Sequence, residues 1–117
     1  MRPERLYLND IVEAAAELAV FMAGRSREDL DSDRMLQAAV LYKMLVIGEA
    51  THQVSPQTRA EYPDAPWSAL AAFRGQIVPK PPSLFLDVVW ITVMVSVPKL
   101  RQQAQQALRR GYRDESG

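Results

Sequence analysis

The 117-residue sequence predicts an all-α fold, one bundle of four main helices, and three observations carry that expectation. Apolar residues recur at three- and four-residue spacing through the first half of the chain, the period of a helix that buries one face. Most prolines and glycines fall between the periodic stretches, where they punctuate helices. The stretch from Leu84 to Val97 is rich enough in β-branched residues to favour a strand. Nothing else in the chain offers that strand a partner, and a lone strand cannot satisfy its own backbone, so this stretch too is expected to be helical.

The first helix is expected from about Pro3 to Ala23, with Leu6, Ile11, Ala14, Ala15, Leu18 and Phe21/Met22 inward and Gly24 as its stop. "SREDLDSDRM" reads as a polar connector, with Asp31 or Ser32 placed to cap the next helix. The second helix should run from about Asp33 to Val54, with Met35, Leu36, Ala39, Val40, Tyr42, Lys43, Ile47 and Ala50/Thr51 on or near its inner face, and Pro56 ends it. "SPQTRAEYPDAPW" holds three prolines without periodicity and reads as a loop. Pro66 then opens a short third helix, "PWSALAAFRGQIV", whose buried row is Trp67, Leu70, Phe73 and Ile77. Residues 79 to 83 should not be helical, because Pro81 and Pro82 each remove a donor and push the preceding residue toward extended backbone. The last segment, "SLFLDVVWITVMVSVPKLRQQAQQALRR", becomes one long buried helix kinked near Pro98. Residues 1–110 form one helical domain and 111–117 a short polar tail.

Composition excludes several chemistries. Fourteen basic residues balance fourteen acidic ones, so any nucleic-acid contact must come from a local patch. The absence of cysteine removes disulfides, thiol catalysis and zinc-thiolate sites, and the single histidine leaves no histidine cluster for a metal. No cofactor is expected. The opening "MRPERLYLNDIVEAA" lacks the apolar run and small-residue cleavage site of a secretory signal, which predicts a cytoplasmic address. Leu84 to Val97, the longest apolar window, is 14 residues interrupted by Asp87, Thr92 and Ser96, too short to span a bilayer, so no membrane partner is expected.

Four segments, "YLNDIVEAAAEL", "KMLVIGEATHQVS", "YPDAPWSALAAFRGQIV" and "LDVVWITVMVSVPKL", resemble the HepT-like branch of the HEPN superfamily over roughly residues 5 to 105. The resemblance implies an HEPN-like bundle that pairs as a symmetric homodimer, so that the motifs of two subunits face one cleft. It also implies a metal-independent endoribonuclease, a toxin held in check by a minimal nucleotidyltransferase antitoxin that modifies a signature tyrosine. The family signature is an arginine, four to six residues, a histidine, and a tyrosine two residues later. Laid on this sequence, Arg74 matches the arginine, the histidine position is Pro79, the tyrosine position is Pro81, and the polar residue often found directly after the arginine is Gly75. RNA cleavage needs a base for the 2′-hydroxyl, an acid for the leaving oxygen and a cation for the phosphorane charge. Proline has no proton to exchange and no donor, so the acid–base part cannot run from positions 79 and 81. Arg74, with Lys80 nearby, remains a candidate RNA-phosphate contact.

Two functions stay open: a toxin subunit whose ribonuclease motif is degraded, and a catalytically inactive HEPN dimer acting as a binding or regulatory scaffold. His52 reads as a surface or boundary histidine, with a stand-in for the missing motif histidine as the competing reading. Glu49, one turn before it, reads as a structural hydrogen-bonding group on the side of Asn9 or Asp10. Trp67, Phe73, Phe85 and Trp90 read as core or dimer interface. Arg101, Arg109, Arg110 and Arg113 read as a solvated basic tail that could still follow RNA phosphates. The excess of large apolar residues between Trp67 and Val97 places the third and fourth helices, and the Arg74 region, near the two-fold axis.

Overall fold

The computed structural model describes residues 2–116, with side chains as far as Gly111. Every regular element among the described residues is helical: α1 Glu4–Met22, α2 Arg27–Ser32, α3 Arg34–His52, α4 Pro56–Glu61, α5 Trp67–Ala71, α6 Ser83–Ile91, a π-helical turn Thr92–Ser96, and α7 Val97–Ser116. The last three join into one continuous rod. Helix α1 packs between α3 and this rod, and α5 lies against α3. Ile11 and Leu18 from α1, Val40 and Ile47 from α3, Leu70 from α5, and Leu86, Val89 and Leu100 from the rod meet in the centre, each at most 2% exposed. Each such side chain stabilises the fold by about 1.5–3 kcal/mol through removal from water. The rod supplies the fourth main helix, so the bundle follows from the apolar periods as expected, and α7 carries the backbone of the polar tail on to Ser116.

Several local expectations are corrected, each for an identifiable reason. "SREDLDSDRM" is not only connector, because it contains α2. Ser26 accepts from the Asp29 N–H at 3.2 Å while the Asp29 carboxylate accepts from the Ser26 N–H at 2.8 Å, and this capping box seats Leu30 fully in the core. The cap of α3 is Asp33, whose carboxylate accepts from the Leu36 N–H at 3.0 Å, rather than Asp31 or Ser32. The proline-rich loop contains α4, which Pro56 opens at its first turn after the Ser55 cap, since the fixed φ of proline suits that position.

On α3, Met35 and Tyr42 are 81% and 60% exposed, and Met44 and Gly48 occupy the inner face instead. The third helix is shorter than expected and begins after Pro66, which is its cap residue. Gly75 adopts φ 71°, a left-handed conformation that stops any helical continuation, so Ile77 leaves the buried row and is 79% exposed. Residues 79 to 82 are non-helical as expected, while Ser83 already belongs to α6, because the Pro82 carbonyl accepts from the Phe85 and Leu86 N–H groups at 3.0 and 3.1 Å.

In place of the kink expected near Pro98, the rod holds a π-helical turn at Thr92–Ser96. Pro98 cannot donate and its ring crowds the preceding turn, and the wider spacing relieves that crowding. The rod is also longer than the apolar window read from the sequence. From Ser83 to Gly111 it is long and apolar enough, by length and composition alone, to cross a membrane, with a mean hydropathy of 1.6 over its most apolar stretch, of which a third is buried within the bundle.

Candidate functional site

Arg74 is fixed by its backbone more than by its side chain. After α5, the Phe73 and Arg74 N–H groups donate to the Leu70 and Ala71 carbonyls at 3.1 and 3.0 Å, and Gly75 then turns the chain back. The Gln76 side-chain amide closes the turn by donating to the Ala72 carbonyl at 2.9 Å. This turn presses directly on α3 at Gly48. A Cβ on Gly48 would lie 2.6 Å from the Arg74 nitrogen and 2.8 Å from the Phe73 carbonyl carbon, both backbone atoms, so only glycine admits the approach. The ring of Phe73 meets that of Phe85 at 6.3 Å and 51°, tying the same turn to α6.

The neighbour of Gly48 completes the arrangement. Glu49 stands with a carboxylate oxygen 3.7 Å from Arg74 Nε, both side chains about half exposed. An ion pair this open contributes at most about 1 kcal/mol to stability, so its effect is to orient the guanidinium. This ion pair replaces the hydrogen bond expected of Glu49. Asn9 and Asp10 are engaged elsewhere, Asn9 donating to Glu13 at 3.2 Å and Asp10 pairing with Arg2 at 2.6 Å.

Beyond the turn, residues 76–81 run back along α3. Ile77, Val78, Pro79 and Pro81 face Arg34, Ala38, Leu41, Tyr42 and Leu45 across a groove of about 530 Å³. Arg74 does not line that groove, and Lys80 is exposed outside it. The structure thus brings Arg74 together with Glu49 and sends Pro79 and Pro81 toward the amino-terminal half of α3. His52 is exposed one turn beyond Glu49, and its side chain makes no hydrogen bond among the described residues. Trp67 is buried, and Phe73, Phe85 and Trp90 pack partly buried on the core, as expected. The basic tail does not form one patch: Arg110 pairs with Glu61 at 2.9 Å, Arg109 is exposed, and Arg101 lies in a separate groove between α1 and the rod. The side chain of Arg113 lies outside the described residues. Among the described residues no three metal-ligating acids or histidines cluster.

Chemically the site offers a guanidinium able to hold a phosphate oxygen and a carboxylate beside it, with no proton-transferring side chain at positions 79 and 81. The sequence reading missed Gly48, and its signal was there: a glycine in the middle of a helical pattern marks a close backbone approach. It also missed Arg34 and Tyr42, which meet the proline segment only once the chain has folded back.

The family model described as "Ribonuclease HepT-like" matches residues 11–107. "Probable ribonuclease HepT" of Thermococcus cleftensis is 29% identical over 100 residues, covering 86% of this chain and 91% of the relative. "Putative RNase TTE0752" of Caldanaerobacter subterraneus is 26% identical over 110 residues, covering 94% and 98%. "Gamma-glutamylcyclotransferase and putative RNase MJ0434" of Methanocaldococcus jannaschii is 27% identical over 99 residues, and the chain spans 45% of its length. No solved structure matches the chain significantly. With the family's model covering residues 11–107, nearly the whole bundle, the chain belongs to the HepT-like ribonuclease family.

Proposed function

We propose that this chain is the HepT-like subunit of a cytoplasmic toxin–antitoxin module, paired with a minimal nucleotidyltransferase antitoxin, in which RNA binding has outlasted RNA cleavage. One observation carries the reading. Arg74 is still held against α3 by the Gly48 contact, while the positions of the motif histidine and tyrosine are prolines on a segment that turns away from it. Losing a general base and a general acid forfeits about 10²- to 10⁴-fold in rate for each role, so cleavage falls toward background. Pro81 has no hydroxyl, so the nucleotide transfer that the family directs at its tyrosine has no acceptor there. Phosphate binding needs only the cation, which remains.

The subunits are proposed to pair through the exposed face of α6 and the π-helical turn. Leu84, Val88, Ile91 and Val95 are 80%, 53%, 59% and 51% exposed and recur at four-, three- and four-residue spacing, the pattern of a helix-pairing seam. This exposure also supports the second reading, an inactive HEPN dimer serving as a scaffold. The two differ in what the Arg74 surface does. Purified chain is mixed with single-stranded RNA and followed for both binding and cleavage. Binding without cleavage, with Arg74→Ala lowering affinity and reducing the salt dependence by about one released counterion, supports the first reading. RNA binding that is indifferent to Arg74→Ala supports the scaffold. Robust cleavage abolished by Arg74→Ala would refute both.

A further inference from the structure

Tyr42 is the one aromatic ring among the described side chains that is mainly exposed, at 60%, although it sits in the middle of α3. Lys43 Nζ stands 5.6 Å from the centroid of this ring and is itself held by Glu17 at 3.0 Å, which steadies the ring from one side. Seven residues on, and so on the same face of α3 about 11 Å along the axis, is Glu49, the partner of Arg74. Four residues further comes Gln53, whose exposed side-chain amide makes no hydrogen bond among the described residues.

Tyr42, Glu49 and Gln53 line one wall of a groove of about 440 Å³, and Arg2, Tyr7 and Asp10 line the other. That volume falls in the range of clefts that hold small ligands. The ions of the groove are already matched. Arg2 pairs with Asp10 at 2.6 Å and lies over the Tyr7 ring at 4.8 Å, and Glu49 is met by Arg74, which stands outside the lining. A phosphate brought inside meets no unpaired cation among the described residues, whereas a neutral planar group with polar edges meets an aromatic ring and an open amide. Because Glu49 joins the groove to Arg74, a strand whose phosphate rests on Arg74 has the groove beside it.

We propose that the groove between α1 and α3 takes a base of single-stranded RNA, stacked on Tyr42, next to a phosphate held by Arg74. The Gln53 amide is placed to meet the nucleotide on the other side of that phosphate. Single-stranded RNA is bound in this way in general, by splayed bases laid on aromatic side chains. A ring steadied beforehand loses little freedom when a base lands on it. Every base has a π face, so Tyr42 adds affinity with little preference for sequence. It also releases no counterion, which separates its contribution from that of Arg74. The inference rests on the RNA-binding reading and adds a base subsite to its phosphate contact.

The test measures, by fluorescence anisotropy, the affinity of the full chain for a short unstructured RNA and for a tetrahydrofuran-phosphate chain of the same length, which keeps the phosphates and lacks the bases. Tyr42→Ala should weaken RNA binding about 5- to 150-fold with the salt dependence unchanged, and Tyr42→Phe should bind like wild type. On the base-free chain, wild type and Tyr42→Ala should bind equally. Met35→Ala, on the same face of α3 but outside the groove, should match wild type on both. RNA binding that depends on Arg74 but not on Tyr42 overturns the base subsite and leaves the proposed function standing, whereas no RNA binding by wild type ends both. A loss in Ile77→Ala as large as that in Tyr42→Ala moves the base to the groove beside the proline segment, which Tyr42 also borders, and this placement fails. If Tyr42→Ala changes the oligomeric state in gel filtration without RNA, the ring belongs to a contact between two copies of the chain, and the proposal fails too.

Discussion

Gly48→Ala is the most direct probe of how this fold holds Arg74. The added Cβ would stand 2.6 Å from the Arg74 nitrogen, whereas ordinary contact begins near 3.4 Å. The turn must therefore retreat from α3 by about 0.8 Å, a displacement that a close-packed interior resists. The neighbours are backbone atoms, so no side chain can swing aside to absorb it. Overpacking of this kind costs about 1–3 kcal/mol. Against it stands the gain from replacing a helical glycine by alanine, about 0.5–1 kcal/mol. The net expectation is a loss of about 1–2 kcal/mol, or about 4–8 °C in melting temperature for a chain of this size. Gly111→Ala is the matched control, since nothing lies within 4 Å of a Cβ there and that glycine is also helical. It should be neutral or stabilising by no more than about 1 kcal/mol. Both variants are unfolded thermally and in urea, and RNA affinity is measured on each. If Gly48→Ala is as stable as Gly111→Ala and binds RNA like wild type, close approach is not what positions Arg74.

Two further perturbations read other parts of the molecule. Burial pushes the Glu4 carboxyl up, but the Ser55 N–H at 2.6 Å and the Thr58 hydroxyl at 2.9 Å donate to it and hold it below the ordinary glutamate range. Its folded-state value is thus the lower one, so its stabilisation is present above about pH 4.3 and is lost as the pH falls through the folded value. Glu4→Gln should cost about 1–3 kcal/mol at pH 7 and progressively less as the pH falls through the folded-state value, and a difference that does not shrink with falling pH would refute the assignment. Val88→Glu with Ile91→Glu puts two charges on the exposed seam of α6 and should leave a folded monomer at micromolar concentration by sedimentation. An unchanged dimer would place the interface elsewhere, and a wild type that is already monomeric would dispose of it.

The helical class was legible because α1, α3 and the rod each bury a row at the helical period, and the seats of Ile11, Leu18, Val40 and Ile47 follow from that alone. The short helices were harder. Helix α2 offers a single buried residue, Leu30, and α4 offers none, so their existence rests on the Ser26 and Ser55 caps rather than on periodicity. Met35 and Tyr42 match the helical row by type yet face outward, because a single sequence cannot say which of two apolar faces meets the core and which is left for another contact. At the candidate site, the sequence supplies only the order of Arg74, Pro79 and Pro81 along the chain. Their separation in space is not legible there, since it depends on Gly75 taking a positive φ and on the segment folding back along α3.

That separation bears on whether the chemistry proposed to be missing can be installed. The segment is anchored at both ends: at Gly48 through the Arg74 backbone, and at Ser83, whose carbonyl accepts from Arg27 Nη2 at 3.0 Å while Arg27 Nε donates to Asp87 at 2.8 Å. Between the anchors, no backbone–backbone hydrogen bond among the described residues involves residues 77 to 81. Replacing Pro79 and Pro81 therefore breaks no such bond, and it costs about 0.4–1 kcal/mol each through the greater freedom of the unfolded chain. Pro82 can stay, because it precedes the first residue of α6 with φ −69° and ψ 157° and its carbonyl already begins the helix. Pro79→His with Pro81→Tyr should thus fold and regain RNA cleavage, by about 10²-fold or more over the unaltered chain, and Arg74→Ala on that background should remove the gain. The tyrosine hydroxyl introduced by Pro81→Tyr should also accept a nucleotide from a minimal nucleotidyltransferase, read as a mass increase confined to the double variant. If the double variant folds and binds RNA as well as wild type yet cleaves none, the missing side chains were not the reason for inactivity, and the path of the segment along α3 was.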